Sequence, residues 1–255
     1  MNDKVNARLV LMPAPLDFGC DEQIDLRLAL PERTLKRAAG LKNWICENAK
    51  STRAYLKRID AIVPLAFPIQ SLKMTELPRL VHKHGDHSGE FDATPLLSDV
   101  LDGQDVGLVS EAGMPAVADP GASVVRAAHA LGIRVEPLVG PVSLLLALSA
   151  SGLNGQSFAF VGYLPSESAA RSQRLVQLES LARQTGQTQL FIETPYRNLV
   201  TFRSALTCLK ALTRLSVSSG LTLSTASSLT YAVKDWKNQP VPVSNRTPAV
   251  FALGP

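Results

Sequence analysis

Two carboxylates, those of Glu111 and Asp119, lie in a loop over residues 110–121 (SEAGMPAVADPG) that also holds two prolines and two glycines. Loops that only connect elements are seldom so constrained, so the stretch predicts a ligand. Gly113 lets the backbone approach a ligand closely, and Pro115 fixes a turn. Asp119 is predicted to cap the next helix or to orient the loop. Together these features predict a site in which backbone groups and apolar walls hold a small zwitterionic ligand with an adenosine part.

The elements around this loop alternate between short apolar runs and helical segments. Such alternation indicates parallel strand pairing in an α/β sheet, with the binding crevice beyond the carboxyl ends of the strands. The loops over 110–121 and 139–143 both follow predicted strands. Ser51 or Thr52 is the expected N-cap of the second helix. The predicted strands cover residues 8–13, 43–47, 106–110 and 134–138, and the predicted helices cover 32–41, 51–59, 121–132 and 142–152.

The second half of the chain predicts a separate α/β domain with a mixed sheet. Strand-like runs at 158–165, 188–197, 214–225 and 249–255 are interrupted by a helical stretch at 168–184. Residues 153–157 (LNGQS) form the natural linker. The sequence therefore predicts an N-terminal α/β domain over residues 1–152 and a C-terminal α/β domain over residues 158–255.

Composition and charge narrow the functional classes. The chain has 255 residues, 45% of them apolar, and no apolar run approaches the roughly 18–20 residues that span a bilayer. Its N-terminal segment lacks the longer apolar core of a secretory signal, so we expect no membrane partner and a cytoplasmic location. Residues 31–83 carry 11 Lys and Arg against 4 Asp and Glu. Such an excess predicts either a solvated surface or a face that attracts polyanions such as RNA.

Several familiar chemistries lack their signatures. The chain has no phosphate-binding P-loop, no dinucleotide-binding glycine motif and no serine-hydrolase elbow. His82, His84 and His87 could ligate a metal, but an exposed loop is the favoured interpretation and no metal is predicted. The three cysteines are widely spaced, which predicts buried free thiols.

A long segment resembles the tetrapyrrole methylase family of S-adenosylmethionine (SAM) methyltransferases, and most of all its branch that 2′-O-methylates a cytidine of small-subunit ribosomal RNA. The branch loop DAGxPxxSDPG matches residues 111–121, and PGPSxxxxALxxSGLP matches the segment that follows. CENAKSTRAYL (46–56) is similar to AEDTRxTxxLL, and FIETPYR (191–197) to FYESPHR. This chain departs from the branch at its first loop, where APLDF replaces TPIGNL. It also has Asn48 and Glu111 where the branch has aspartates.

The resemblance implies two α/β domains with SAM bound in a cleft between them. It implies a homodimer and assigns substrate-binding roles to Arg53 and Arg197, which could hold phosphate or form ion pairs between domains. A ribose hydroxyl is a poor nucleophile, so a general base would help; the candidates are Glu47, Glu111 and Glu193. The implied cofactor-binding residues are Pro15, Gly113, Met114, Val117, Val142, Ser143, Leu164, Thr194, Thr247, Pro248 and Ala249.

Three functions remain open from the sequence. The first is a SAM-dependent methyltransferase acting on the 2′-hydroxyl of ribosomal RNA, which the branch motifs and the basic region favour. The second is a methylase of a small anionic, tetrapyrrole-like substrate, which would use the same cofactor site. The third is a SAM-binding protein without catalytic activity, which the departures at the first loop, Asn48 and Glu111 would fit.

Overall fold

The structure is a computed structural model that describes residues 7–86 and 91–255, without the side chains of residues 82–84. It divides into two compact units, each with its own sheet. The first comprises the chain up to Phe18 together with Ile24–Pro141, and the second comprises Gly19–Gln23 and Val142–Pro255. Two α/β units were predicted, and the fold class is confirmed.

The first unit is built on a five-stranded sheet in which every pairing is parallel. The strand order is β3-β2-β4-β1-β5, so β1 lies between β4 and β5. The strands of the first unit are β1 (Arg8–Met12), β2 (Asn43–Cys46), β3 (Lys73–Glu76), β4 (Val106–Val109) and β5 (Arg134–Pro137). Its helices are α1 (Glu32–Ala39), α2 (Ala49–Asp60), α3 (Arg79–His84), α4 (Ser98–Leu101) and α5 (Ala122–Ala130).

Two apolar clusters cover the two faces of this sheet. Alternate residues of a strand point to opposite faces, and β1 shows this directly. Val10 and Met12 join the cluster formed with α1 and α2, whereas Leu9 joins the cluster formed with α5. Because both faces are covered, β2 and β4 are buried along their whole length, as the apolar runs in the sequence predict.

The second unit holds a mixed sheet in the order β6-β7-β10-β8-β9. Strands β6 and β7 are parallel and the other pairings are antiparallel, which confirms the mixed sheet. Its strands are β6 (Phe158–Tyr163), β7 (Thr188–Glu193), β8 (Arg214–Ser219), β9 (Ser227–Ala232) and β10 (Ala249–Gly254). Its helices are α6 (Ser143–Ser151), α7 (Ser168–Thr185) and α8 (Asn198–Cys208).

Helix α6 belongs to the second unit, so the division falls before it rather than in the predicted linker at 153–157. Leu144 and Leu148 of α6 pack against Leu190 of β7 and Val250 of β10. Helices α7 and α8 form a different cluster around Phe191 and other residues of the sheet. The apolar character of α6 therefore reflects burial against a sheet that follows it in sequence.

The start of α2 differs from the prediction. Its N-cap is Asn48, whose side chain accepts hydrogen bonds from the Lys50 and Ser51 amides at 2.9 and 3.1 Å. Ser51 and Thr52 lie inside the first turn, and the Thr52 hydroxyl donates to the Asn48 carbonyl instead. Asn caps as well as Ser, so sequence preference alone could not choose between them. Within residues 7–86 and 91–255, no helix is both long and apolar enough to cross a membrane.

Candidate functional site

Three loops meet at the carboxyl ends of the strands of the first unit. The loop after β1 pairs with the 110–121 loop through a small bridge, in which Ala14 and Gly113 exchange backbone hydrogen bonds of 2.8 and 3.0 Å. A Cβ atom on Gly140, in the loop after β5, would clash with the Pro13 ring. Tyr55 of α2 donates its hydroxyl proton to the Pro13 carbonyl at 2.8 Å. The sequence-predicted loops are therefore brought together around the end of β1.

The backbone of the 110–121 loop is held in an unusual conformation. Gly113 and Gly121 have positive φ angles of 72° and 134°, and so do Ala116 at 64° and Ala118 at 67°. A positive φ angle costs a non-glycine residue roughly 1–2 kcal/mol, and such strain is concentrated at ligand-binding loops. Ser110, at the start of the loop, has a buried hydroxyl with no hydrogen-bond partner among the described residues. Both features fit a loop that is completed by a ligand.

A group of three carboxylates, Glu47, Glu111 and Asp119, lies at the ends of β2 and β4; we call it the carboxylate cluster. The Glu47 carboxylate accepts a 3.1 Å hydrogen bond from the Glu111 amide, and Ser51 donates to the Glu111 carboxylate at 3.0 Å. Burial, together with the charges of Glu47 and Glu111, raises the pKa of Asp119 from 3.8 to about 7. A carboxylate with that pKa can accept a proton near neutral pH.

Asp119 does not have the capping role that the sequence predicts for it. Helix α5 begins after Gly121, and the cap is supplied by Asp86 from a distant loop. The Asp86 carboxylate accepts hydrogen bonds from the amides of Gly121 and Ser123 at 2.9 and 2.8 Å, and from the Ser123 hydroxyl. Burial alone would raise the pKa of Asp86, but these hydrogen bonds outweigh it and lower the pKa. Because Asp86 caps α5, the Asp119 side chain can belong to the carboxylate cluster instead.

The loop that departs from the family pattern is anchored to α2. Asp17, which is 3% exposed, accepts two hydrogen bonds from the Arg58 guanidinium at 3.0 and 2.7 Å. It also accepts the Ile24 amide at 2.9 Å. The Asp17–Arg58 pair holds the first loop, which lacks the glycine that the branch motif carries there. Its partners are 41 residues apart, so no local sequence signal could identify it.

The predicted cofactor-binding residues fall in both units. Pro15, Gly113 and Met114 are buried or half-buried in the first unit, and Val117 is 39% exposed there. The residues in the second unit are Val142, Ser143, Leu164, Thr194, Thr247, Pro248 and Ala249. Val142 packs beside the α6 cluster and Leu164 is buried, whereas Ala249 begins β10.

Thr247 lies at a cleft of about 560 Å³ within the second unit. Cys20, Glu22 and Arg246 also line this cleft. The buried amide of Asn198 donates to the carbonyls of Ser244 and Thr247, while its own side-chain oxygen has no partner among the described residues. The cleft is large enough for a nucleoside-sized ligand.

Glu193 and Arg197, predicted as a base and a phosphate-binding residue, form an ion pair of 3.0 Å in the second unit. The Glu193 side chain is 0% exposed and accepts further hydrogen bonds from Thr201 and from the Thr194 amide. Arg197 also donates to the carbonyls of Leu164 and Pro165. These contacts favour a structural role for both residues in place of the predicted chemical ones.

Arg53 lies on α2 and is half-buried. It is close enough to Cys46 for its charge to act on that thiol, whose pKa is raised mainly by burial.

The described residues contain no group of three or more metal-ligating side chains arranged to hold an ion. His87, and the side chains of His82 and His84, lie outside the described residues.

Comparisons with known proteins agree with this architecture. A curated relative from Vibrio cholerae, named ribosomal RNA small subunit methyltransferase I, is 40% identical over 112 residues, covering 44% of this chain and 38% of that protein. A protein of the same name from Halalkalibacterium halodurans is 34% identical over 196 residues, covering 77% of this chain and 57% of that protein. The matched parts thus span only 38% and 57% of the length of these two relatives.

Among solved structures, the methyltransferase CobJ superposes with a TM-score of 0.51 at 17% identity, covering 88% of this chain and 87% of that one, which shows a shared fold. Residues 33–229 match the model of the Tetrapyrrole (Corrin/Porphyrin) Methylases. This match extends over most of the chain, including the 110–121 loop and the carboxylate cluster. The chain therefore belongs to the tetrapyrrole methylase family.

Proposed function

We propose that the protein is a SAM-dependent methyltransferase that methylates a ribose 2′-hydroxyl of small-subunit ribosomal RNA. The observation that carries the proposal is the carboxylate cluster, in which Asp119 has a pKa of about 7, at the loops where α/β sheets bind ligands. The names of the relatives and the branch motifs support ribosomal RNA as the acceptor.

The residues present fit SAM as the cofactor. Its amino-acid, ribose and adenine parts are rich in hydrogen-bonding groups, and each unit holds a buried polar atom that has no partner among the described residues, on Ser110 and on Asn198. We propose that Pro15, Gly113, Met114 and Val117 contact it in the first unit. The second-unit residues Val142, Ser143, Leu164, Thr194, Thr247, Pro248 and Ala249 are proposed from the resemblance, with support from the cleft at Thr247.

When bound, SAM supplies an electrophilic methyl group on a sulfonium. The protein must hold the hydroxyl near that group and receive its proton as the new O–C bond forms and the S–C bond breaks. We assign proton acceptance to the Asp119 carboxylate. Glu47 and Glu111 raise its pKa, and Ser51 holds Glu111 in place. Glu193 has no part in this proposal, because its oxygens are bonded to Thr201, Arg197 and the backbone.

Transfer of labelled methyl from SAM tests the proposal directly. We expect label in the RNA of small ribosomal subunits that lack the modification, and none in subunits that already carry it. Label in a tetrapyrrole but not in RNA would replace the proposal with the small-substrate alternative. Binding of SAM without transfer to either acceptor would favour the non-catalytic alternative.

The homodimer and the cytoplasmic location stay predictions. Light scattering tests the homodimer.

Replacing Gly113 with valine should weaken SAM binding at least tenfold, which is about 1.4 kcal/mol. Gly113 has φ of 72° and hydrogen-bonds to Ala14, so a branched side chain would distort the bridge that brings two cofactor loops together. Gly132→Val is the matched control, because Gly132 has φ of 70° and open space around it. Calorimetry showing the same loss of SAM affinity in both variants would contradict a direct role of the Gly113 loop.

A further inference from the structure

Several cations of the basic region, residues 31–83, already have partners in the first unit. Lys36 pairs with Glu32 at 2.5 Å, and Lys73 pairs with Asp99 at 2.8 Å. Arg37 and Arg58 are bound to carboxylates in the same way, and Lys42 lies over the Phe67 ring. In the four ion pairs, a further anion would have to compete with the carboxylate that the cation already contacts.

Lys50, Arg53 and Lys57 behave differently. They have no carboxylate partner among the described residues, whereas Arg58 on the same helix pairs with Asp17. Their spacing of three and four residues places them on one face of the helix, in a row about 10 Å long. Lys50 and Lys57 are exposed and Arg53 is half-buried. We call these three residues the α2 stripe.

The α2 stripe begins beside the carboxylate cluster. Lys50 lies in the first turn of α2, where its amide donates to Asn48 and where the neighbouring Ser51 donates to Glu111. The stripe then runs away from the cluster to Lys57. Beyond it lies Asp60, whose carboxylate accepts the Leu65 amide at 2.9 Å. An anionic chain along the stripe would therefore have one end at the carboxylates.

We propose that the α2 stripe binds the phosphate backbone of single-stranded RNA and leads it to the carboxylate cluster, an inference that rests on the proposed function. Phosphate contacts fix the position of a strand without reading its sequence, so the stripe sets where the acceptor nucleotide lies and leaves its identity to other groups. The three cations of the stripe, set in a row, suit a chain of successive phosphates. A compact dianion would instead need the three cations to converge on one point.

Two charge-matched double variants test the proposal: Lys50→Ala/Lys57→Ala in the stripe, and Lys36→Ala/Lys73→Ala among the paired lysines. The measurement is the affinity for a short labelled single-stranded RNA, without SAM, over a series of salt concentrations. We expect the stripe variant to bind about tenfold more weakly at low salt. Its slope of log affinity against log salt should fall by about 1.4, since each lost contact on a single strand removes about 0.7. The paired-lysine variant should stay within about twofold of the parent.

Equal weakening by both variants would overturn the proposal, because net charge and not the stripe would then govern binding. Unchanged RNA binding with loss of binding to phosphatidylserine vesicles would overturn it in favour of a membrane surface. The proposed function fails on a different result, namely the absence of methyl transfer to ribosomal RNA by the parent protein. Weaker binding by the stripe variant alone would support the stripe even in that case.

Discussion

Asp119→Asn should reduce the rate of methyl transfer by about 100-fold or more, the contribution typical of a general base. Asparagine keeps the size and most of the packing of the side chain but cannot take up the proton of the acceptor hydroxyl. The rate is measured under single-turnover conditions with saturating SAM and RNA. Asp102→Asn is the control, because it removes the same charge from an exposed position of the first unit and should leave the rate unchanged.

The pH dependence of the parent protein should identify the same group. Asp119 has a pKa of about 7 and acts in its ionised form, so the rate should rise tenfold per pH unit below that value and level off above it. A profile that stays flat from pH 5 to pH 8, or full activity in Asp119→Asn, would remove Asp119 from the mechanism.

The same substitution should stabilise the fold at alkaline pH. The pKa of Asp119 is raised in the folded state, because ionisation of this carboxyl is less favourable there than in the unfolded chain. Below the ordinary pKa of 3.8 the carboxyl is neutral in both states and the full stability is present. That stability is lost as the pH rises through about 7. Asparagine is neutral throughout. The free energy of unfolding of Asp119→Asn should therefore exceed that of the parent by about 2–4 kcal/mol at pH 8 and by little near pH 4. Urea unfolding at the two pH values measures both.

A variant that is both inactive and more stable would separate a functional defect from a folding defect. The carboxylate cluster brings three acidic groups together at a cost in stability, and such a cost is common where a site is built for chemistry. Equal stability of the two proteins at pH 8 would mean that Asp119 is well solvated, which would contradict the raised pKa.

The sequence predicted the central strands well because each is a short apolar run closed by turn residues. Strand β3 was not assigned: it lies at the edge of the sheet, and its sequence KMTE shows little apolar alternation. The pattern over 214–225 predicts a strand throughout, whereas β8 ends at Ser219 and β9 starts only at Ser227. Edge strands and turns depend on contacts that local pattern does not carry.

The candidate site was predictable in its loops but not in its electrostatics. Glu47 and Glu111 were named from motifs, and they do lie together. The role of Asp119 depends on their charges and on Asp86 taking the capping position, and neither relation is local in sequence. Glu193 is the opposite case: its motif suggests a role as a general base, whereas its contacts favour a structural role. The residue types indicate which chemistry each group can perform. The contacts in the folded chain determine which of these groups remain available for it.

Arg197→Ala should lower the free energy of unfolding by about 3–5 kcal/mol, because it leaves the Glu193 carboxylate buried without its partner. The Glu193 side chain is 0% exposed and that of Arg197 is 22% exposed, so little water can replace the lost guanidinium. Urea unfolding monitored by circular dichroism measures the loss. Arg203→Ala, at an exposed position of α8, the helix that begins directly after Arg197, should change stability by no more than about 0.5 kcal/mol.

A double variant, Glu193→Gln/Arg197→Met, distinguishes the ion pair from a phosphate-binding role for Arg197. Removing both charges takes away the penalty of the lone buried carboxylate, so the double variant should recover part of the stability that Arg197→Ala loses. Its affinity for single-stranded RNA should match that of the parent if Arg197 only supports the β7 end of the second unit. Weakened RNA binding in a double variant of near-normal stability would instead restore the phosphate-binding role that the family motif implies. The two readouts, unfolding and RNA affinity, therefore assign Arg197 to one role or the other.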